Sequence, residues 1–254
     1  MNHKIAVAYD GTAYSGWQHQ SSQLSIQQVI EHSLSTVLRE PIKIQGSGRT
    51  DAGVHALEQI AHFHSSPILD LRRTIFSLNA LLPKDIRILS LQATTDDFHA
   101  RFSCLSKVYQ YHLDLSPHRN PFKRFYSYRP FFPIDLDLMR EGFRYLVGEH
   151  DFSSFSHQAN KGSAAINPIR HLYRIDLIEN TDDVYLEFEA DGFLYKMVRN
   201  LTAALLAVGN KKIKPVDLEF LREKKNRSLL PQTAPPHGLF LFKVKYPIHF
   251  ESPI

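Results

Sequence analysis

Ile42-Lys43-Ile44-Gln45-Gly46-Ser47-Gly48-Arg49-Thr50-Asp51-Ala52-Gly53-Val54-His55 is the stretch on which the reading of the fold turns. Ile42 and Ile44 alternate with polar neighbours, the period of a strand with one buried face, and glycines at 46 and 48 interrupt that pattern. Ile60-Ala61-His62-Phe63-His64 is extended again. The segment around Asp51 is therefore predicted to be a loop joining two strands.

Outward from this loop, the pattern changes period on both sides. Upstream, the start from Met1 to Asp10 reads as a short strand meeting polar residues, Asp10-Gly11-Thr12 supplies a turn, and Ser25-Ile26-Gln27-Gln28 is a capping box. Ile26, Val29, Ile30, Leu34, Val37 and Leu38 then fall on one helical stripe. Downstream, Asp70 caps a second helix carrying Leu71, Ile75, Leu78 and Leu82 on one face, and Pro83 stops it. A strand at 86–91 follows. The order strand, helix, strand, strand, helix, strand is that of a split βαβ, ferredoxin-like half.

The remaining chain repeats the theme: a strand at 107–115, a helix at 136–147 ending at Gly148, and a hairpin of 172–178 with 184–190. A helix with Leu194, Met197, Val198, Leu201 and Leu205 on one face ends at Gly209, and a last strand occupies 239–246. The expectation is an α+β chain of two ferredoxin-like (split βαβ) halves, 1–104 and 105–254, sharing a mixed, largely antiparallel sheet with helices on one face.

Thirty Lys and Arg stand against 26 Asp and Glu, and the pI is near 9.0, so a polyanionic partner is favoured without being required. Cys104 is the only cysteine, which rules out an intramolecular disulfide and starves a Cys-based zinc site of ligands. A reducing, cytoplasmic setting fits. The first residues lack the continuous apolar core of a secretory signal, and no stretch is long and apolar enough to span a bilayer.

Glycines at 46, 48 and 53 and the small Ala52 leave room beside Asp51 for another molecule, and Arg49 two residues away favours a charged carboxylate. Spacing alone equally describes a turn with a solvated ion pair. Tyr109 in Val108-Tyr109-Gln110-Tyr111 reads either as a packed core ring or as a ring that stacks on a base. His62 and His64 can share a strand face, but no third metal ligand accompanies them, and Gly46-Ser47-Gly48 is too short for a nucleophile elbow. Residues 118–129 interleave Arg119, Lys123, Arg124 and Arg129 with Phe122, Phe125, Tyr126 and Tyr128; further loops fall at 156–167 and 211–227.

The chain resembles the bacterial tRNA pseudouridine synthase A family. The resemblance is carried, in family order, by Tyr9-Asp10-Gly11-Thr12 with Gly16-Trp17-Gln18, Gly48-Arg49-Thr50-Asp51-Ala52-Gly53-Val54-His55-Ala56, Asp97-Phe98-His99-Ala100-Arg101-Phe102-Ser103, Lys107-Val108-Tyr109-Gln110-Tyr111, His150-Asp151-Phe152, Met197-Val198-Arg199-Asn200 and Ala234-Pro235. It implies that Asp51 is the catalytic carboxylate, that Tyr109 contacts substrate, and that Arg49, Arg101 and Arg199 lie near an RNA-binding cleft on the sheet face away from the helices. It further implies a cytoplasmic homodimer without cofactor or metal, in which 1–104 carries the catalytic aspartate and 105–254 contributes substrate-binding residues and the dimer interface, acting on uridines 38, 39 and 40 of the tRNA anticodon stem-loop. A non-catalytic RNA-binding protein on the same scaffold would share the charge and the aromatics but would not need Asp51.

Overall fold

The computed structural model describes residues 1–21, 23–157, 166–180 and 184–250. Most of the loop expected at 156–167 lies outside them. The chain divides into two compact units, one formed by residues 1–107 with the segment from Phe240 onward and the other by Val108–Leu239.

The first unit contains β1 (Asn2–Tyr9), α1 (Ile26–Leu38), β2 (Gln45–Gly46), β3 (His55–His64), α2 (Leu71–Leu81) and β4 (Ile86–Thr94). Both helices begin where local chemistry dictates: Ser25 and Gln28 form a reciprocal capping box, and the Asp70 carboxylate accepts from Arg73 N–H. Ile26, Ile30, Leu34 and Leu78 are fully buried, so the predicted stripes are the faces that enter the core. β1 runs antiparallel between β3 and β4, from Asn2 opposite His64 to Tyr9 opposite Ala56. This is the βαββαβ arrangement expected of a split βαβ half.

The strand expected at Ile42 and Ile44 is displaced. Both isoleucines are buried, but the ladder is made by the next two residues, with Gln45 opposite His62 and Gly46 opposite Ala61. β9 (Leu239–Lys245) explains why this contact is so short. It lies parallel to β3, with Phe240 opposite His55 and Leu241 opposite Ala56. Since β1 occupies one edge of β3 along its length, β2 and β9 must share the other. The last strand therefore belongs with the first unit although it comes from the far end of the chain.

In the second unit, β5 (Ser106–Leu113, entered from the first unit), β6 (Gly148–Asp151), β7 (Ile169–Glu179) and β8 (Val184–Ala190) are ordered β5-β8-β7-β6. The helix expected to reach Val147, α3 (Leu136–Phe143), stops sooner. Tyr145 and Leu146 N–H make turn bonds to Gly142 and Phe143, and Gly148 at φ 119° redirects the chain into β6. α4 (Met197–Gly209) is buried on every side, which accounts for its near-continuous apolar sequence. Its buried polar groups are satisfied: Asn200 donates to Phe155 O (2.6 Å) and accepts from Thr233 Oγ1 (2.8 Å). α5 (Asp217–Glu223) is close to α3 at Gly142, where a Cβ would lie 2.8 Å from Leu218.

Candidate active site

Residues 47–54 leave the sheet between β2 and β3 and are fastened at each end. Ser47 N–H donates to Ile60 O (2.7 Å) and its hydroxyl to Gln59 Oε1 (2.7 Å), while Gln59 Nε2 donates to Gly48 O (3.0 Å). Lys107 Nζ donates to Ser47 O at 2.7 Å. Further along, Trp17 N–H donates to Thr50 O (3.1 Å), and the Tyr9 hydroxyl and Thr50 Oγ1 share a 2.8 Å hydrogen bond. Burial pushes the Tyr9 phenol well above its ordinary range, so it holds Thr50 as a neutral group. Val54 N–H closes a turn onto Asp51 O (3.1 Å), with Gly53 at φ 76°. Asp51 is half-buried at the head of that turn.

On one side the turn meets backbone directly. A Cβ on Gly11 would lie 2.0 Å from Val54 O, and one on Gly16, itself at φ 96°, would lie 2.4 Å from Thr50 O. Only glycine permits that approach. Gly11 N–H also donates to His55 Nδ1 (3.1 Å), and Asp10 Oδ1 lies 3.1 Å from the same nitrogen. Gly46, which the sequence suggests as space for another molecule, is covered by the Trp17 indole, 2.6 Å from a Cβ built there. Gly11, Gly16, Trp17 and Tyr9 thus form the seat of the Asp51 loop. Local spacing gives no sign of this, because the contacts span about forty residues of chain.

The other expected site residues are distributed between the units. Arg49 and Arg101 lie with Asp51 in the first unit, and both are exposed. Arg49 has no hydrogen bond or ion pair among the described residues, so the expected bond to Asp51 is not made. Arg101 rests 5.7 Å from the Phe102 ring centre. Tyr109 and Arg199 belong to the second unit. Tyr109 is buried, with Phe193 edge-on at 5.1 Å. Arg199, in the first turn of α4, is buried too, and its Nε donates to Ala234 O at 2.7 Å.

His62 and His64 do share a face, with ring centres 6.2 Å apart, and His99 is 4.5 Å from His62. His62 and His99 are engaged with protein: Ala100 N–H donates to His62 Nδ1 (3.2 Å), and His99 Nε2 meets Gln45 Oε1 (2.9 Å). Burial, reinforced by the neighbouring His99, lowers the His62 pKa from 6.5 to about 4.

Residues 5–103 and 143–247 match the family described as tRNA pseudouridine synthase. The chain is 45% identical over 245 residues to tRNA pseudouridine synthase A 1 of Protochlamydia amoebophila (strain UWE25), covering 96% of each chain. It is 46% identical over 249 residues to tRNA pseudouridine synthase A of Chlamydia muridarum (strain MoPn / Nigg), covering 96% of this chain and 91% of that one. The corresponding protein of Exiguobacterium sp. (strain ATCC BAA-1283 / AT1b) is 39% identical over 243 residues, covering 96% and 97%. The chain belongs to the tRNA pseudouridine synthase family and is an isomerase. Asp51, Arg49, Arg101 and Arg199 fall inside the family-matched stretches, and Tyr109 falls between them. Among the described residues no helix is long and apolar enough to cross a membrane.

Two outcomes follow from this geometry. Gly16→Ala forces a Cβ onto backbone at a positive φ, which costs about 1–3 kcal/mol before the clash is relieved. A Cβ on Gly48, by contrast, meets only the end of the Lys107 side chain, 3.2 Å from its Nζ. Urea titrations should show a clear loss for the first and a change under about 1 kcal/mol for the second, with pseudouridine formation lost in the same order. For His62, the unfolded chain binds the proton more readily between pH 6.5 and about 4, so its contribution to stability falls as pH drops through that window. His62→Asn, which retains an acceptor for Ala100 N–H, should lose less stability between pH 7 and pH 4.5. An unchanged pH slope would refute the assignment.

Proposed function

We propose that Asp51 is the catalytic carboxylate of this isomerase, acting on uridines 38, 39 and 40 of the tRNA anticodon stem-loop. The observation that carries the reading is the seat just described: a half-buried carboxylate at the head of a turn held by Trp17, Thr50, Tyr9 and two close-packed glycines. Such preorganisation suits a group that must meet one atom of a flipped base or its sugar.

The reaction breaks the bond from ribose C1′ to uracil N1, turns the base within its pocket and joins C1′ to C5. The C5 proton is lost and N1 gains one, so atoms balance without a redox change or net hydrolysis. No cofactor is demanded by that balance. The Asp51 carboxylate can attack C1′, attack C6 of the base, or abstract a ribose proton; all three routes make it essential. In this reading Tyr109 packs against the target base, and Arg49 and Arg101, exposed at the surface, take backbone phosphates. Arg199, buried and already holding Ala234 O, orients groups within the second unit. The enzyme works as a cytoplasmic homodimer.

Purified Asp51→Asn should keep its fold and its affinity for unmodified tRNA while pseudouridine formation falls by about a thousandfold or more. Substantial remaining turnover would overturn the assignment. Tyr109→Phe should fold as the parent does and turn over roughly tenfold slower or worse; parental turnover would reduce the hydroxyl to packing.

A further inference from the structure

The second unit carries a surface whose residues have no part in the site described above. Residues 115–134 contain Arg119, Lys123, Arg124 and Arg129 and not one carboxylate, and they fall between the two family-matched stretches. Arg129 is spent on Asp114, at 3.2 Å. Arg124 instead lies 4.3 Å from the Phe125 ring centre, with its Nη1 on Pro121 O. Phe122 and Phe131 are each 83% exposed and Phe132 is 58% exposed. Large rings left in water beside Arg119 and Arg124, neither of which meets a carboxylate among the described residues, mark a contact surface for a polyanion with flat apolar faces.

Part of this surface is concave. Tyr128, Phe131 and Phe132 face Leu206, Asn210 and Lys212 across a cleft of about 140 Å³. That is well below the roughly 300–1,000 Å³ of pockets for drug-sized ligands and leaves room for one planar ring system. The polar groups are few and placed at its edge. Asn210 is fixed by its N–H to Leu206 O (3.0 Å) and accepts Lys212 N–H on Oδ1 (3.2 Å), and its amide NH₂ has no partner among the described residues. Lys212 Nζ stands 5.1 Å from the Phe132 ring centre and pairs with no carboxylate among the described residues.

We propose that this cleft is a second nucleotide site, which takes one unpaired base of the RNA substrate away from the nucleotide being isomerised. The base stacks on Phe131, a base carbonyl accepts from the Asn210 amide, and Lys212 meets the adjoining phosphate. The inference rests on the reading of the substrate as tRNA. A second copy of the chain fits less well. A two-fold contact sets the patch against its own copy, and residues 115–134 supply no carboxylate to answer their cations.

The test is fluorescence anisotropy of the full-length protein with an unmodified tRNA transcript over a range of salt. Phe131→Ala should weaken binding by about fivefold or more. Lys212→Gln should lower the slope of log affinity against log salt by about one. Both side chains are exposed, so the variants should melt with the parent. Unchanged affinity and slope would overturn the inference, as would a Phe131→Ala protein that sediments as a smaller oligomer than the parent, because the ring would then be a subunit contact. Pseudouridine formation by the parent, measured in parallel, separates the two readings. If the parent turns over and the variants bind normally, only the second site falls. If the parent does not turn over while the variants bind weakly, the site stands and the role of Asp51 falls.

Discussion

One edge of β3 is claimed by two strands, and the position of the candidate carboxylate depends on that competition. Each backbone position on an edge can satisfy one ladder partner. β2 holds Ala61 and His62, and β9 holds His55 and Ala56. Beyond Ser47, whose N–H still donates to Ile60 O, residues 48–54 bow out of the sheet. Their polar groups then need partners elsewhere, and Gln59, Trp17 and Tyr9 supply them. Asp51 is half-exposed because the chain around it has left the sheet, yet the backbone that carries it is bonded at both ends.

The two glycines of the preceding loop complete this arrangement. With backbone oxygens 2.0 and 2.4 Å from where Cβ atoms would stand, Gly11 and Gly16 bring two loops into main-chain contact. No side-chain rotamer intervenes, so little freedom remains to be frozen when substrate arrives. The register irregularity of β1 between Val7 and Tyr9 falls at the same end of the sheet, where Tyr9 reaches Thr50. Irregular pairing beside a functional loop is a recurrent way to aim a side chain.

What was legible in the sequence was local. Ser25 with Gln28, Asp70 as the cap of α2, and the isoleucine and leucine stripes of α1 and α2 are interactions within one or two turns, and the structure keeps them. The Ile42–Ile44 strand was misplaced because its register is set by β3 and by β9, which arrives almost two hundred residues later. The early end of α3 has the same origin: Gly148 reads as a helix stop, whereas it is the entry to β6, whose partner β7 begins at Ile169. Within the candidate site, the residue types around Asp51 were visible, but the direction of the glycine argument was not. The small residues admit the protein's own chain before they admit anything else.

The cations separate into two kinds, and physical cost distinguishes them. An exposed guanidinium such as Arg49 or Arg101 keeps its hydration, attracts phosphate at long range and is screened by salt. A buried one such as Arg199 has lost that hydration and persists only where fixed acceptors replace it. Ala234 O is one such acceptor, and the Ala234 N–H in turn donates to Arg199 O at 3.3 Å, so the arginine and the 234–235 segment hold each other. Pro235 O also receives the Tyr111 hydroxyl (2.9 Å), on the strand that carries Tyr109. Movement of Arg199 would therefore disturb the backbone that anchors β5. That coupling ties Arg199 to the strand that carries Tyr109.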